Sequence, residues 1–266
     1  MNEKHILLTG DDGYNSIGTR LLIYFLKDRY ELAIAATKSQ QSAVGGHMSV
    51  VRGGSWGETK VDGIPAVWSS TYPADAVEVG RNIFKRTFDL VISGINLGVN
   101  IGGGIISSGT FAAAHRAVDL RLAPVGIVMS WDTHPSLYHK EHNGDENIAE
   151  FIDYPGAVAY DILTVAQKNN FWGARLLNIN FPAKKTRRVR FTKPVPSVLD
   201  FYQEMKLDRV HHTFSFPEDD LARRPVRDPS FDSGAILNGF ISVSLFKMDF
   251  VLENTYKQIK SREFTL

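Results

Sequence analysis

Short apolar runs alternate along the first two-thirds of the chain with stretches whose apolar residues recur every three or four positions. His5 to Thr9 is such a run and stops at Gly10-Asp11-Asp12-Gly13, which predicts a strand and then a turn. Ser16 predicts the cap of a helix reaching to about Arg29, with Leu21, Leu22, Phe25 and Leu26 on one face. Glu31 to Ala36 and Ile64 to Ser69 read as two further strands. Pro73 suits a first helical turn, and Ala76, Val77, Gly80, Ile83 and Phe84 follow at helical spacing. Phe88 to Ser93 reads as a buried strand, Thr110 to Leu120 as a helix, and Pro124 to Trp131 as another buried strand. This βαβ rhythm predicts an α/β fold with a mostly parallel, doubly wound sheet and right-handed crossovers. Ile148 to Asn169 reads as a helix interrupted near Pro155-Gly156, and Leu176 to Phe181 as a strand stopped by Pro182.

The pattern changes beyond Lys184. Short strand candidates at Arg188–Thr192, His211–Phe216 and Phe240–Phe246 are separated by loops rich in proline and charge. The expected organisation is a core over residues 1–183, with a polar insertion at 132–147, and a smaller β-rich C-terminal extension over 184–266. That extension is expected to act as an oligomerisation arm whose closing strand returns to the core. His134, His139 and His142 in the insertion lack ligand spacing and read as surface residues. The insertion is also placed to cover a site as a lid.

Composition narrows the function. The chain has 266 residues, 43% hydrophobic and 22% charged, with net charge +1 and no cysteine. That length builds a core without disulfides or metal staples. Without cysteine there is no thiolate zinc site, iron–sulfur cluster or cysteine nucleophile. Near-neutral charge argues against nucleic acid or an anionic membrane as partner. No signal-peptide core precedes the first strand, and no run approaches the ~20 apolar residues of a membrane span, so a cytoplasmic location is expected.

Chemistry is expected at the carboxyl ends of the strands, where open α/β sheets bind ligands. Those ends present Asp11 and Asp12, then Ser39, Gln40, Gln41 and Ser42, then Thr71 to Asp75, then Ser93 to Asn96, Asn100, and Ser107, Ser108, Gly109 and Thr110 opening a helix. Adjacent carboxylates repel unless a cation sits between them. Carboxylate, amide and hydroxyl oxygens form a hard set suited to magnesium or manganese. Of the chain's 22 glycines, six lie from Gly94 to Gly109, where they free backbone N–H groups near a helix N-terminus, a ready anion site. A cation site and an anion site at one sheet edge point to a phosphate ester. Read singly, each feature is ordinary: Asp-Asp-Gly is a turn, Ser108 a helix cap and Gly102–Gly104 a loop. Their placement at successive strand ends makes the functional reading.

These residues resemble a known family. Ile6-Leu7-Leu8-Thr9-Gly10-Asp11-Asp12-Gly13 resembles the opening of the SurE family of stationary-phase survival proteins. Ser93-Gly94-Ile95-Asn96-Leu97-Gly98-Val99-Asn100, Ser108-Gly109-Thr110, Leu177-Asn178-Ile179-Asn180-Phe181-Pro182 and Gly239-Phe240-Ile241-Ser242-Val243-Ser244 are similar to its later segments. The resemblance implies a Rossmann-like three-layer core and a metal-dependent phosphatase acting on nucleoside 5′- and 3′-monophosphates. It implies one divalent ion, Mg²⁺ or Mn²⁺, on Asp11, Asp12, Ser42 and Asn96, with Asp11 and Asp12 catalytic. It further implies phosphate contacts from Asn96, Asn100, Ser108, Gly109 and Thr110, and a homodimer or homotetramer. The chain departs from the family pattern at Gly10, Thr37, Ala43, Thr71-Tyr72 and Ser107. Those departures motivate the alternative of a degenerate nucleotide- or phosphate-binding protein. A phospho-accepting regulatory domain would need a further aspartate at a later strand end, where this chain has Asn96.

Overall fold

The computed structural model describes residues 4–138, 140–197, 205–216, 226–248 and 257–258. His139 lies outside them, as does part of the 184–266 extension. In chain order the first elements are β1 (His5–Thr9), α1 (Ile17–Leu26), β2 (Glu31–Thr37), β3 (Trp56–Val61), β4 (Ile64–Ser69), α2 (Pro73–Phe84) and β5 (Leu90–Leu97). A 3-10 helix (Gly102–Ser107) leads into α3 (Gly109–Asp119) and β6 (Gly126–Trp131). Then come α4 (Ala149–Phe151), α5 (Ala157–Lys168), β7 (Leu176–Phe181), β8 (Val189–Thr192), β9 (Lys206–Asp208), β10 (Thr213–Ser215), α6 (Asp232–Leu237) and β11 (Ile241–Phe246).

The central sheet has nine strands in the order β3-β4-β2-β1-β5-β6-β7-β11-β8. Six of them, β4-β2-β1-β5-β6-β7, run parallel. The chain winds outward from β1 through β2 to β4, then returns to the other side of β1 as β5. The switch point therefore lies between the ends of β1 and β5, where the crevice of a doubly wound sheet opens. Parallel strands are covered on both faces, which explains their unbroken apolar runs. On β1, Ile6 and Leu8 join the core under α1 and α5, and Leu7 joins the core under α2 and α3. The result is the expected three-layer α/β architecture.

The sheet also extends where the apolar pattern is weak. β3 pairs antiparallel with β4 as an edge strand, and its largely solvent-facing residues hide it from a search for apolar runs. Beyond residue 184, β11 pairs antiparallel with β7, and β8 pairs parallel with β11. The segment Arg188–Thr192 is thus an edge of the central sheet. β9 and β10 form a separate antiparallel hairpin. The helical break near Pro155 is a π-type turn over Ile152–Gly156 in which Tyr154 leaves helical geometry. Proline lacks the N–H that would continue the helix ladder.

The candidate phosphoester site

The site begins at the bend in β5. Ser93 pairs with Val128 and Asn96 with Ser130, so β5 carries one more residue than β6 across this stretch. Such a bulge re-aims the residues that follow it. Gly94 makes the bend possible: its φ is +118°, and a Cβ there would lie 2.2 Å from the Met129 carbonyl oxygen. Past the bend, the Leu97 N–H donates to Asp12 Oδ2 at 2.8 Å. The Asn96 side-chain amide donates to the Gly98 carbonyl at 2.8 Å, which commits its NH₂ and leaves Oδ1 as its acceptor.

Asp11 and Asp12 are 5% and 6% exposed. The Thr110 hydroxyl donates to Asp11 Oδ1 at 2.6 Å, joining β1 to the first turn of α3. Gly109 lets that turn approach: a Cβ on it would stand 2.7 Å from Asp11 Oδ2 and 3.0 Å from the Pro73 ring. Burial pushes the Asp11 carboxyl up to about 6, against the pull of the Thr110 hydroxyl. Burial, and after it the charge of Asp11, raises Asp12 well above the ordinary carboxylate range. Among the described residues no cationic side chain offsets either group.

Burial raises both carboxyls and the charge of Asp11 raises Asp12 further, so the pair is a poor resting place for anions and a good ligand set for a cation. The described residues contain no cluster of three or more His, Cys, Asp or Glu suited to a metal. The donors on hand are two carboxylates and the Asn96 amide oxygen, a set of hard oxygens that fits magnesium or manganese.

Ser42 differs from this set in its exposure. It is exposed, and its hydroxyl accepts a hydrogen bond from the Gln40 amide. Its loop is nevertheless tied to the site, because the Gln41 N–H donates to the Asp11 carbonyl at 2.7 Å. Ala43 holds a φ of +59°, a left-handed conformation that strains a residue with a Cβ.

Ser108 caps α3, accepting from the Phe111 N–H at 3.0 Å. The N–H groups that open α3 lie beside Asp11, and no acidic residue occupies that first turn. Asn100 is fastened rather than free. Its N–H donates to Asn180 Oδ1, its side chain donates to Ser130 and Thr110, and its carbonyl accepts from Asn178 and Asn180. A hydrogen-bond chain thus runs from β7 through Asn100 and Thr110 to Asp11. Ser130, Asn178 and Asn180 are missing from the sequence-derived site. The sequence signal of Asn178 and Asn180 is a strand with asparagine at alternate buried positions, and Ser130 lies on the neighbouring β6.

Asp232 is a second hidden support. It is fully buried and accepts from the N–H groups of Gly102, Val195 and Ser233 at 2.7, 3.0 and 2.8 Å. It clamps the glycine-rich segment that leads to Ser108. The 132–147 insertion borders the site: Gln40 donates to the Tyr138 carbonyl, and the Tyr138 ring lies 3.7 Å from where a Gly98 Cβ would stand. His142, expected on the surface, packs its buried side chain against Glu146 at 3.2 Å.

A family model described as "Survival protein SurE" matches residues 6–199. The chain is 30% identical over 251 residues to "5'-nucleotidase SurE 1" of Thermus thermophilus, covering 92% of both proteins. It is 28% identical over 247 residues to "5'-nucleotidase SurE" of Deinococcus radiodurans, covering 92% of this chain and 87% of that one. A protein of the same name from Protochlamydia amoebophila is 33% identical over 212 residues, covering 77% of this chain and 74% of its own. Among solved structures, the SurE protein of Aquifex aeolicus superposes with a TM-score of 0.71 at 23% identity, covering 96% of this chain and 98% of that one.

Proposed function

Since the chain belongs to the SurE family, we propose that it is a metal-dependent phosphomonoesterase that hydrolyses nucleoside 5′- and 3′-monophosphates to nucleoside and phosphate. The observation that carries this reading is the uncompensated pair Asp11 and Asp12 beside the opening turn of α3. The relatives' names, 5'-nucleotidase, point to the same reaction class.

Asp11, Asp12, Ser42 and Asn96 are the residues that would hold one Mg²⁺ or Mn²⁺ ion. Bound there, the ion supplies positive charge against a phosphoryl oxygen. The chain's own residues do the rest. The N–H groups of Gly109 and Thr110 and the hydroxyl of Ser108 grip the other phosphoryl oxygens and stabilise the charge that builds on them. A water attacks phosphorus as the phosphorus–ester oxygen bond breaks; a carboxylate of the aspartate pair takes the water's proton and passes it to the departing ester oxygen, which leaves as the nucleoside hydroxyl. Asn100 positions Thr110, and through it Asp11.

No helix of the described residues is long and apolar enough to cross a membrane, and we place the protein in the cytoplasm. Leu207, Val210, Phe214 and Phe216 are all exposed on or beside the β9–β10 hairpin. That apolar surface supports a homodimer or homotetramer built through the hairpin.

The exposed Ser42 and strained Ala43 favour the rival reading, a protein that binds nucleotide without turning it over. Asp12→Asn decides between them. The enzyme reading expects kcat for nucleoside monophosphates to fall by about a hundredfold or more. A wild-type protein that binds nucleotide but releases no phosphate would support the rival.

A further inference from the structure

Beside the phosphate-binding turn lies an aromatic pair that the mechanism does not use. The rings of His47 and Tyr72 meet edge-on, with centroids 4.3 Å apart and planes at 63°. In an edge-on contact the edge of one ring rests on one face of the other, and the remaining faces are not used by the pair. His47 is exposed and Tyr72 half-buried.

The pair is fixed at both ends. The Gly45 N–H donates to the Ser107 carbonyl at 2.8 Å, so the 44–47 turn is hung on the residue before Ser108. The Ser49 N–H donates to Asp75, which lies in the first turn of α2. Tyr72 is the residue before α2 and adjoins Pro73, whose ring borders Gly109. Ile106, 72% exposed, adds an apolar side chain on the segment to which Gly45 is bonded. A held, partly apolar shelf therefore stands at the mouth of the site, on the same elements that present Ser108 and Gly109.

The geometry points to Tyr72 and His47 as the surface on which the nucleobase lies, and so as specificity-determining residues favouring base-bearing phosphomonoesters. This deepens the phosphomonoesterase reading and rests on it. The physical reason is that a base gains from an aromatic face whatever its hydrogen-bonding edge, whereas a bare sugar phosphate gains nothing there. A shelf of this kind selects for the presence of a base more than for its identity.

The test compares kcat/KM for AMP with that for ribose 5-phosphate in the same metal buffer. The proteins are wild type, Tyr72→Ala, Tyr72→Phe and His47→Ala. Loss of the Tyr72 ring is expected to lower the AMP preference about tenfold, expressed in KM rather than kcat, with Tyr72→Phe restoring it. Equal losses on both esters, or an unchanged preference in Tyr72→Ala, would overturn the shelf while leaving the hydrolase reading intact. A wild type inactive on both esters would overturn the hydrolase reading and the shelf with it.

Discussion

Thr110 donates its hydroxyl to Asp11 across 99 residues of chain, at 2.6 Å. The same hydroxyl accepts from Asn100, so one side chain links the floor of the sheet to a candidate metal ligand. Thr110→Val keeps the shape and removes both bonds. Activity should fall about ten- to a hundredfold, as it does when the partners that orient metal ligands are lost. Thr110→Ser should keep most of it. Steady-state kinetics beside far-ultraviolet circular dichroism checks this; a Val variant with wild-type kcat would contradict it.

Gly109→Ala acts from the opposite side of Asp11. The added methyl would sit 2.7 Å from Asp11 Oδ2 and 3.0 Å from the Pro73 ring. Something must shift, and the carboxylate is the movable partner. A displacement of ~1 Å in such a group costs about a hundredfold in rate. The expected outcome is a folded protein with kcat reduced on that scale and weakened binding of manganese by titration calorimetry.

Asp89 tests the folding electrostatics away from the site. It accepts from the N–H groups of His5 and Lys4, both at 2.9 Å, and these bonds hold its carboxyl below its ordinary value of 3.8. A depressed folded value stabilises the protein above the unfolded value, and that stability is lost as pH falls through the folded one. Asp89→Asn should therefore be less stable than wild type at neutral pH, by no more than about 1 kcal/mol because the group is partly exposed. The gap should close as pH falls from the ordinary value of 3.8 through the lowered folded one. Urea denaturation at several pH values measures it, and a gap that stays constant with pH would contradict the assignment.

The sheet's centre and the principal site residues were legible because they obey local rules. Apolar runs ending in Asp11-Asp12 and in Asn96, and the Ser108 cap, each reveal themselves within a few residues. Ser130, Asn178 and Asn180 were not legible as site supports. Their shared partner, Asn100, lies 30 to 80 residues away, and nothing local in Leu177-Asn178-Ile179-Asn180 says which loop it meets. Asp232 was hidden in the same way, reaching Gly102 from 130 residues downstream. β3 escaped because an edge strand facing water needs few apolar residues. In the loop that carries Ser42, Ala43 holds a φ of +59°, a backbone conformation that spacing alone does not report.

The central claim is that the aspartate pair serves a cation-dependent hydrolysis of phosphomonoesters. Phosphate release from a panel of nucleoside monophosphates, run with magnesium, with manganese and with excess chelator, tests it most directly. The account predicts release that chelator abolishes and either ion restores. Undiminished release in chelator, or none with either ion, would contradict it.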